Sequence, residues 1–435
     1  MTLNTITNET SILSDKHILF CFTEATDLNA LYKIELENIK NNFCGIQLSN
    51  VKQFNYINSL SSIIYLCGAI ENNYHLLEFK ENQTIYVVKE LSENFEYNSG
   101  KYMVINIGRV PINIHNVGVY FRNVFDDTKD YFNDISNDHH FQTLTESNKV
   151  GNAFRKGLYM SKVEETNNVT SFNLLRCSTN LRGPTENFRN TDNEIIDTVN
   201  NLSKHFFSNG APLNHVLAQI YENNIVCNNT KTVEKKAKIK EHSDKTKDMP
   251  RNGLIAFTTF YENTRLPVIM NSGNSSNLFN KKSSSDLFDY CYNDTSILTR
   301  LRFRLKESAT HEFVRPTDKL EKQFDITLYP NSVFLIPLST NRLYTHEILP
   351  SILSINKIPT RMGYVIRCSK TKAVFKDDMT FIEEDDNYIK LEPMTDDDSK
   401  KIKDLYYKEN ISTDVICYDK IYSSFNDGDY TKPLV

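Results

Sequence analysis

The sequence predicts a mainly β protein that also contains helices, of the α+β class. Short runs rich in Ile, Val, Tyr and Phe recur along the chain, and turns containing Asn, Ser or Gly separate them. This spacing favours strands over most of the length. One segment after residue 190 carries apolar residues at helical spacing instead, which adds a clear helix to the prediction.

Residues 1–125 are expected to form a β-rich N-terminal domain, built as an antiparallel meander or sandwich. No group of catalytic residues is evident in this region, so its role stays unknown. A polar stretch follows, and residues 126–165 are expected to be a connecting segment. The strands predicted before residue 110 are His17–Phe22, Leu31–Leu36, Ser62–Leu66, His75–Phe79, Thr84–Val88 and Met103–Ile107.

The clearest helix is predicted over residues 192–207. Thr191 and Glu194 have the spacing of a capping box, and Ile195, Val199 and Phe206 follow on one face. Strands dominate again after it, and residues 376–435 are expected to form an acidic, solvated extension with a short helix near residues 400–407. The later strands predicted are Val216–Tyr221, Leu254–Tyr261, Ser296–Leu305, Asp325–Leu328, Val333–Leu338 and Arg361–Cys368.

Composition and charge narrow the class of protein. The chain has 435 residues, with 50 Lys and Arg against 55 Asp and Glu, which excludes a generally basic nucleic-acid binder. The longest apolar runs fall far short of the roughly 20 residues that a membrane helix needs, so no membrane partner is expected. Eight cysteines without a C-x-x-C pair favour reduced thiols in an intracellular protein, cytoplasmic or nuclear.

The residues that carry chemistry begin at His242 and Asp244. They stand two apart, so an extended backbone points both side chains to the same side. An imidazole and a carboxylate supply two of the three ligands of a 2-His-1-carboxylate site, which is typical of non-haem Fe(II). His346, on a strand that returns after an apolar strand and a turn, is the preferred third ligand. His311, in a polar segment, is the alternative, and the pair His139-His140 is expected at the surface.

Two arginines follow the distal histidine. Arg361 and Arg367 are six residues apart on an apolar strand, so both side chains face the same side of it. Burying two guanidinium groups is costly unless each meets an anion. A small dicarboxylate supplies an anion at each end, and Arg binds a carboxylate through two parallel hydrogen bonds.

Together these residues resemble the Fe(II)/2-oxoglutarate-dependent dioxygenases, and most closely the AlkB-like branch. The signature of that branch is His-x-Asp, a distal His and Arg-x5-Arg, and the resemblance covers about residues 170–375. It implies that residues 166–375 are the catalytic domain, folded as a double-stranded β-helix, or jelly roll. It also implies Fe(II) as the metal and 2-oxoglutarate as cosubstrate.

The resemblance assigns a role to each matching position. His242, Asp244 and His346 would hold the iron. Arg361 would bind the distal carboxylate of 2-oxoglutarate and Arg367 the carboxylate nearer the metal. The branch carries Asn-x-Tyr upstream of His-x-Asp, and the cosubstrate contacts implied here are Gln219, which departs from Asn, and Tyr221.

The implied reaction oxidises a substrate C–H bond and converts 2-oxoglutarate to succinate and CO2. A cluster of lysines around His-x-Asp favours a single-stranded nucleic acid with an alkylated base as substrate, although a solvated lysine-rich loop is an alternative reading. A protein or small-molecule hydroxylase, and a catalytically inert jelly-roll interaction module, remain open. The candidate substrate contacts are Arg182, Lys240 and Lys245, and the sequence indicates no oligomeric state.

Overall fold

The computed structural model describes most of the chain, and within it the protein is mainly β with helices, as predicted. No helix in the described residues is both long and apolar enough to cross a membrane. The candidate ligand His311 lies outside the described residues. The described residues are 10–22, 28–57, 62–70, 73–92, 102–145, 152–228, 231–262, 281–282, 286–309, 320–418 and 420–435.

The N-terminal region forms a five-stranded parallel sheet with the strand order β2-β1-β3-β4-β5. Its faces pack in separate apolar clusters, one of which is shared with the rest of the protein. The elements are β1 (His17–Cys21), α1 (Ala30–Asn42), β2 (Ile46–Leu48), α2 (Val51–Ile57), β3 (Ile63–Gly68), β4 (Thr84–Ser92) and β5 (Met103–Ile105).

The prediction of an antiparallel meander or sandwich for this region is therefore wrong. Residues Leu31–Leu36 lie in α1, since the Asn29 side chain accepts the Tyr32 N–H and begins a helix that buries Leu36 and Ile39. Residues His75–Phe79 form no strand. The runs in β1 and β3 are almost continuously buried, which is typical of parallel strands covered on both faces.

Two antiparallel sheets face each other in the rest of the protein. The larger has nine strands in the order β12-β9-β13-β25-β17-β23-β7-β6, with β8 paired to β9. Only its β12-β9 pair is parallel. Its strands are β6 (Ile112–Ile114), β7 (Gly118–Phe121), β8 (Gln142–Thr145), β9 (Asn152–Ser161), β12 (Glu186–Asn187), β13 (His215–Tyr221), β17 (Leu254–Tyr261), β23 (Ser332–Pro337) and β25 (Arg361–Arg367).

The smaller sheet has four strands in the order β16-β24-β21-β22. They are β16 (Ile239–His242), β21 (Arg300–Leu305), β22 (Gln323–Thr327) and β24 (Tyr344–Leu349). Further strands are β10 (Val163–Thr166), β11 (Val169–Leu174), β14 (Asn224–Asn228), β15 (Lys231–Lys235), β18 (Lys281–Lys282), β19 (Tyr290–Tyr292), β20 (Thr295–Ser296), β26 (Thr371–Lys376), β27 (Met379–Glu384) and β28 (Asn387–Lys390). The remaining helices are α3 (Tyr131–Asp138), α4 (Asn190–Phe206), α5 (Leu338–Leu343) and α6 (Asp396–Ile411).

The nine-stranded sheet is the middle layer of this part of the molecule. Its inner face contributes Phe257 and Phe334 to a core shared with Phe303 of the four-stranded sheet. Its outer face packs against α3 and α4 through a second apolar cluster that includes Ile135 and Val199. A site between the two sheets therefore borders a core of packed side chains.

Two segments, predicted to be a connection and a solvated tail, contribute helices and strands to the fold. Residues 126–165 contain α3, β8 and β9, so this segment supplies sheet strands and is no simple connection. The expectation of a solvated C-terminal extension is also wrong. Helix α6 spans Asp396–Ile411 and buries Ile402 and Tyr406, while Tyr418 and Ile421 pack against them.

Helix α4 begins slightly earlier than predicted, at Asn190. The Asp192 carboxylate accepts the Arg189 N–H at 2.8 Å, so Asp192 takes the capping role that the sequence gives to Thr191 and Glu194. Glu194 binds Lys129 and Tyr131 instead.

His139 is buried, which contradicts the surface position expected for it. Its Nδ1 lies 2.9 Å from Glu186 and its Nε2 lies 2.8 Å from Asp192, and Asp192 also accepts the Tyr364 hydroxyl of β25. Burial by itself disfavours the charged imidazole, but the two carboxylates outweigh it and raise the pKa of His139 to about 9. This ionic network holds α3, α4 and β25 together.

The charge on His139 predicts a pH dependence of stability. Because the folded-state pKa lies above the value of about 6.5 in the unfolded chain, the stabilisation is complete below pH 6.5 and is lost as the pH rises through about 9. The difference corresponds to up to about 3 kcal/mol. Urea unfolding at pH 6 and pH 9.5 should show a larger loss in wild type than in His139→Gln.

His140→Gln is the matched control, since the neighbouring His140 side chain is 86% exposed. It should retain the pH dependence of the wild type. An equal loss of unfolding free energy in wild type and in His139→Gln would contradict the proposed charge on His139.

Candidate metal centre

Strands β16 and β24 bring the rings of two histidines close together in the four-stranded sheet. His242, the last residue of β16, pairs in register with His346 of β24, and their ring centroids are 4.5 Å apart. Asp244 follows just after β16, and its Oδ1 lies 3.7 Å from His242 Nε2 and 3.9 Å from His346 Nε2. The three potential ligand atoms lie within 4.8 Å of one another, a grouping that could hold a metal ion.

The protonation states suit metal binding, which needs neutral imidazoles and an ionised carboxylate. Burial lowers the pKa of His346 to about 3 and also lowers the pKa of His242. Although burial opposes ionisation of Asp244, the Arg367 guanidinium holds the pKa of that carboxyl well below its usual range. At neutral pH the centre thus offers two imidazole lone pairs and one negative charge.

Outer hydrogen bonds orient two of these ligands. The Lys240 carbonyl can only accept, so His242 Nδ1, 2.8 Å away, carries the proton and leaves the Nε2 lone pair directed at the centre. Arg367 donates to Oδ2 of Asp244 from Nε at 3.0 Å and from Nη2 at 2.7 Å. This arrangement leaves Oδ1 for the metal.

The centre is dry on one side and open on the other. His346 is 5% exposed, and its ring lies 5.3 Å from Phe257 and 5.6 Å from Phe303 between centroids. The His242 side chain is 34% exposed. The His242 side is therefore the more exposed side of the centre.

The loop that carries Asp244 is fixed by Asn341 of α5. The Asn341 side chain accepts the Asp244 N–H at 2.8 Å and donates to the Asp244 carbonyl at 2.9 Å. Both backbone groups of the central ligand are satisfied in this way, which restricts its rotation. The sequence offers no sign of this contact, because Asn341 lies almost a hundred residues further along the chain.

Helix α6 fixes the same loop from the other side. Asn410 Oδ1 accepts the Ser243 N–H at 2.7 Å, and Glu409 Oε1 accepts the Thr246 N–H at 3.0 Å. The C-terminal segment is therefore part of the structure that holds the candidate ligands in place.

Arg361 lies on the inner face of β25 with its guanidinium carbon 4.0 Å from the centre of the Tyr221 ring. It is 4% exposed, and no described residue accepts a hydrogen bond from its guanidinium. A Cβ at Gly363 would lie 3.0 Å from Arg361 Nη1 and 3.2 Å from the Tyr221 ring. The absence of a side chain at Gly363 therefore makes room for Arg361 to fold along β25 towards Arg367.

Arg367 forms an ion pair with the candidate ligand Asp244. Its Nη1 is nevertheless buried and has no hydrogen-bond partner among the described residues. Arg367 thus has a buried N–H donor without an acceptor, on the same face of β25 as Arg361, and an anion between the sheets would satisfy this donor.

Gln219 and Tyr221 face the same interior. In the register of the sheet, Gln219 lies opposite Gly363 and Tyr221 opposite Arg361. The Tyr221 hydroxyl donates to Gln219 Oε1 at 2.8 Å. Tyr221 and Arg361 also line a cavity of about 290 Å³, whose wall includes Ile348 but none of the three metal ligands.

A third arginine also faces inward, and it is not among the site residues predicted from the sequence. Arg155 of β9 lies opposite Tyr221, and its Nε is buried without a partner among the described residues. The signal is the alternation of Arg155, Gly157 and Tyr159, within a segment that the sequence predicts to be a connection.

The three candidate substrate residues differ in exposure. Arg182 and Lys240 are exposed. Lys245 is half-buried, with its ammonium 4.5 Å from the centre of the Tyr406 ring of α6. Lys247 is buried as well and donates to the Ser423 carbonyl at 2.9 Å, so the lysine cluster divides into exposed and structural members.

Comparison with known proteins adds no assignment. The sequence matches no protein-family model, and none of the curated proteins matches it significantly.

The contact between α6 and the ligand loop predicts a role for Asn410 in metal binding. Asn410→Ala leaves the Ser243 N–H without its acceptor, so we expect the affinity for Co(II), measured by calorimetric titration, to fall by about 10- to 100-fold. Asn410→Asp keeps an acceptor oxygen and should restore most of that affinity.

The exposed Lys408 of the same helix provides the control, and Lys408→Ala should bind Co(II) like the wild type. The circular dichroism of all variants should be unchanged. Wild-type Co(II) affinity in Asn410→Ala would show that α6 does not support the ligand loop.

Proposed function

We propose that the protein is an Fe(II)- and 2-oxoglutarate-dependent dioxygenase that oxidises a substrate C–H bond. One observation carries this proposal. In the cluster of His242, Asp244 and His346, Asp244 is bound by Arg367, whose buried Nη1 has no acceptor among the described residues. Arg361, which is 4% exposed, lies on the same face of β25 as Arg367. A bound metal would explain why the three ligand side chains converge. A bound dicarboxylate would explain the arginine N–H groups that face the interior.

We infer that eight strands around the centre form a double-stranded β-helix. In chain order they are β13, β16, β17, β21, β22, β23, β24 and β25, divided equally between the two facing sheets. The first strand pairs with the eighth, the second with the seventh, the third with the sixth and the fourth with the fifth. A single long hairpin rolled up on itself gives this pairing, which is the pattern of a jelly roll.

In this proposal His242, Asp244 and His346 hold Fe(II), a usual partner of the 2-His-1-carboxylate set. Bound iron with 2-oxoglutarate supplies the activation of O2, with release of succinate and CO2. The task of the protein is to keep coordination positions open and to exclude water. Phe257 and Phe303 keep the His346 side dry, and Arg367 keeps Asp244 to one available oxygen.

In the same proposal the two arginines bind different carboxylates of 2-oxoglutarate. Arg361, stacked on Tyr221, binds the distal carboxylate of 2-oxoglutarate, because its donors have no acceptor within the described residues. Arg367 is fixed by Asp244 and directs Nη1 at the carboxylate nearer the metal. Gly363 keeps the space between them clear.

The test is an anaerobic titration of Fe(II) and 2-oxoglutarate, followed through the visible charge-transfer band between metal and cosubstrate. We expect the band in wild type and its loss in His346→Ala. Arg361→Ala should need about 10- to 100-fold more 2-oxoglutarate for the same band, since a buried charge-assisted hydrogen bond is lost. Gly363→Val should weaken 2-oxoglutarate binding similarly, because the new side chain occupies the space of Arg361.

Lys156→Met is the matched control, since Lys156 lies next to the inward-facing Arg155 but pairs with Glu222 on the outer side. It should give the wild-type band. No band in folded wild-type protein would refute the dioxygenase proposal and leave an inert interaction module as the working hypothesis.

For the substrate, we propose an alkylated base in a single-stranded nucleic acid. Asn223 and Ala237 line the cavity and are joined by a hydrogen bond from the Ala237 N–H to Asn223 Oδ1 at 3.0 Å. Lys235 and Lys238 lie two residues before and one residue after the cavity-lining Ala237 in the chain. Cations at this position suit a phosphodiester backbone whose base is turned towards the metal.

Fluorescence anisotropy with a single-stranded oligonucleotide at several salt concentrations tests this substrate class. The double variant Lys235→Glu/Lys238→Glu should bind at least tenfold more weakly and show a shallower salt dependence. Lys372→Glu/Lys400→Glu, which changes exposed lysines elsewhere, should bind like the wild type. Absence of salt-sensitive binding in wild type would favour a protein or small-molecule substrate.

A further inference from the structure

Two cysteines meet at one edge of the N-terminal parallel sheet. Cys21 is the last residue of β1, and it pairs in register with Cys67 of the adjacent strand β3. Their sulfur atoms are 3.0 Å apart. Neither residue belongs to the metal centre, so the pair requires an explanation of its own.

The pair occupies the position in this sheet at which chemistry is expected. The strand order β2-β1-β3-β4-β5 reverses direction between β1 and β3. In open parallel sheets the crevice at the carboxyl ends of the two strands beside such a reversal is the general place for ligands. Cys21 and Cys67 lie at the carboxyl ends of these two strands.

The two thiols differ in access. Cys67 is completely buried, whereas Cys21 is partly exposed. An oxidant in solution therefore meets Cys21 first, and Cys67 lies behind it, in position to react with an oxidised Cys21. This is the arrangement of an attacked thiol and a resolving thiol.

The backbone permits a bond between them. Neighbouring strands lie about 4.8 Å apart, within the range of about 4.4 to 6.8 Å between the Cα atoms of disulfide-bonded cysteines. Gly68, directly after Cys67, has a φ of 91°, and the pairing of β3 with β4 shifts register between Leu66 and Gly68. The end of β3 is therefore already irregular, which makes a small adjustment less costly.

We propose that Cys21 and Cys67 form a two-electron thiol–disulfide redox site whose oxidant is a peroxide. The Cys21 sulfur displaces water from hydrogen peroxide and becomes a sulfenic acid. The Cys67 sulfur then attacks it, so that the S–S bond forms, the S–O bond breaks and the hydroxyl leaves as a second water with the Cys67 proton. Two thiols lose two electrons, and one peroxide gains them.

The experiment uses the full chain without added metal, in the presence of a chelator, so that its outcome is independent of the proposed dioxygenase activity. The protein is treated with hydrogen peroxide, blocked with iodoacetamide under denaturing conditions and digested with trypsin without reduction. Mass spectrometry should find peptide 17–33, which contains Cys21, joined to peptide 53–80, which contains Cys67, with the loss of two hydrogens. Dithiothreitol should release both peptides.

Variants separate the pair from other thiols. Cys21→Ser and Cys67→Ser should abolish the linked peptide, whereas Cys44→Ser, at another buried cysteine of the N-terminal region, should retain it. If a variant misfolds, the presence or absence of the linked peptide in the wild type still tests the proposal. Alkylated Cys21 and Cys67 at a peroxide dose that oxidises the exposed Cys227 and Cys417 would overturn the proposal. A stable sulfinic acid on Cys21, with Cys67 still a thiol, would overturn it equally.

Discussion

The buried ion pair between Arg367 and Asp244 is the interaction on which the candidate metal centre depends. It joins β25 of the nine-stranded sheet to the loop after β16 of the four-stranded sheet, and so ties the two layers at the centre. It keeps Asp244 ionised, fixes one carboxylate oxygen and leaves the other for a metal. Loss of either partner would leave an uncompensated buried charge, at a cost of about 3–5 kcal/mol.

The rest of the structure holds this pair in place from three directions. The His139 network joins α3 and α4 to Tyr364, on the opposite face of β25 from Arg367. Asn341 of α5 and residues of α6 satisfy the backbone of the loop that carries Asp244. The N-terminal sheet is joined to the same body by a buried ion pair between Glu35 of α1 and Arg122, just after β7. Candidate ligands drawn from distant parts of the chain need such support to stay in position for a metal.

The wrong predictions from the sequence fall where a local pattern is compatible with two structures. Alternating apolar residues in Leu31–Leu36 fit a strand, but the cap at Asn29 and burial of Ile39 select a helix. The apolar runs in β1 and β3 predict strands correctly. They do not predict that these strands are parallel, because strand direction depends on the crossover helices between them. The acidic composition of residues 376–435 concealed buried positions such as Ile402 and Tyr406.

The sequence by itself determined the strand periodicity, the spacing that aligns His242 with Asp244, and the shared face of Arg361 and Arg367. Each of these follows from backbone geometry over a few residues. Only the tertiary structure decided that Arg367 binds Asp244, that Arg155 joins Tyr221 and Arg361 on one inner face, and that α6 supports the ligand loop. These contacts join residues far apart in the chain. Which distant groups meet depends on how the sheets stack, and no local pattern encodes that.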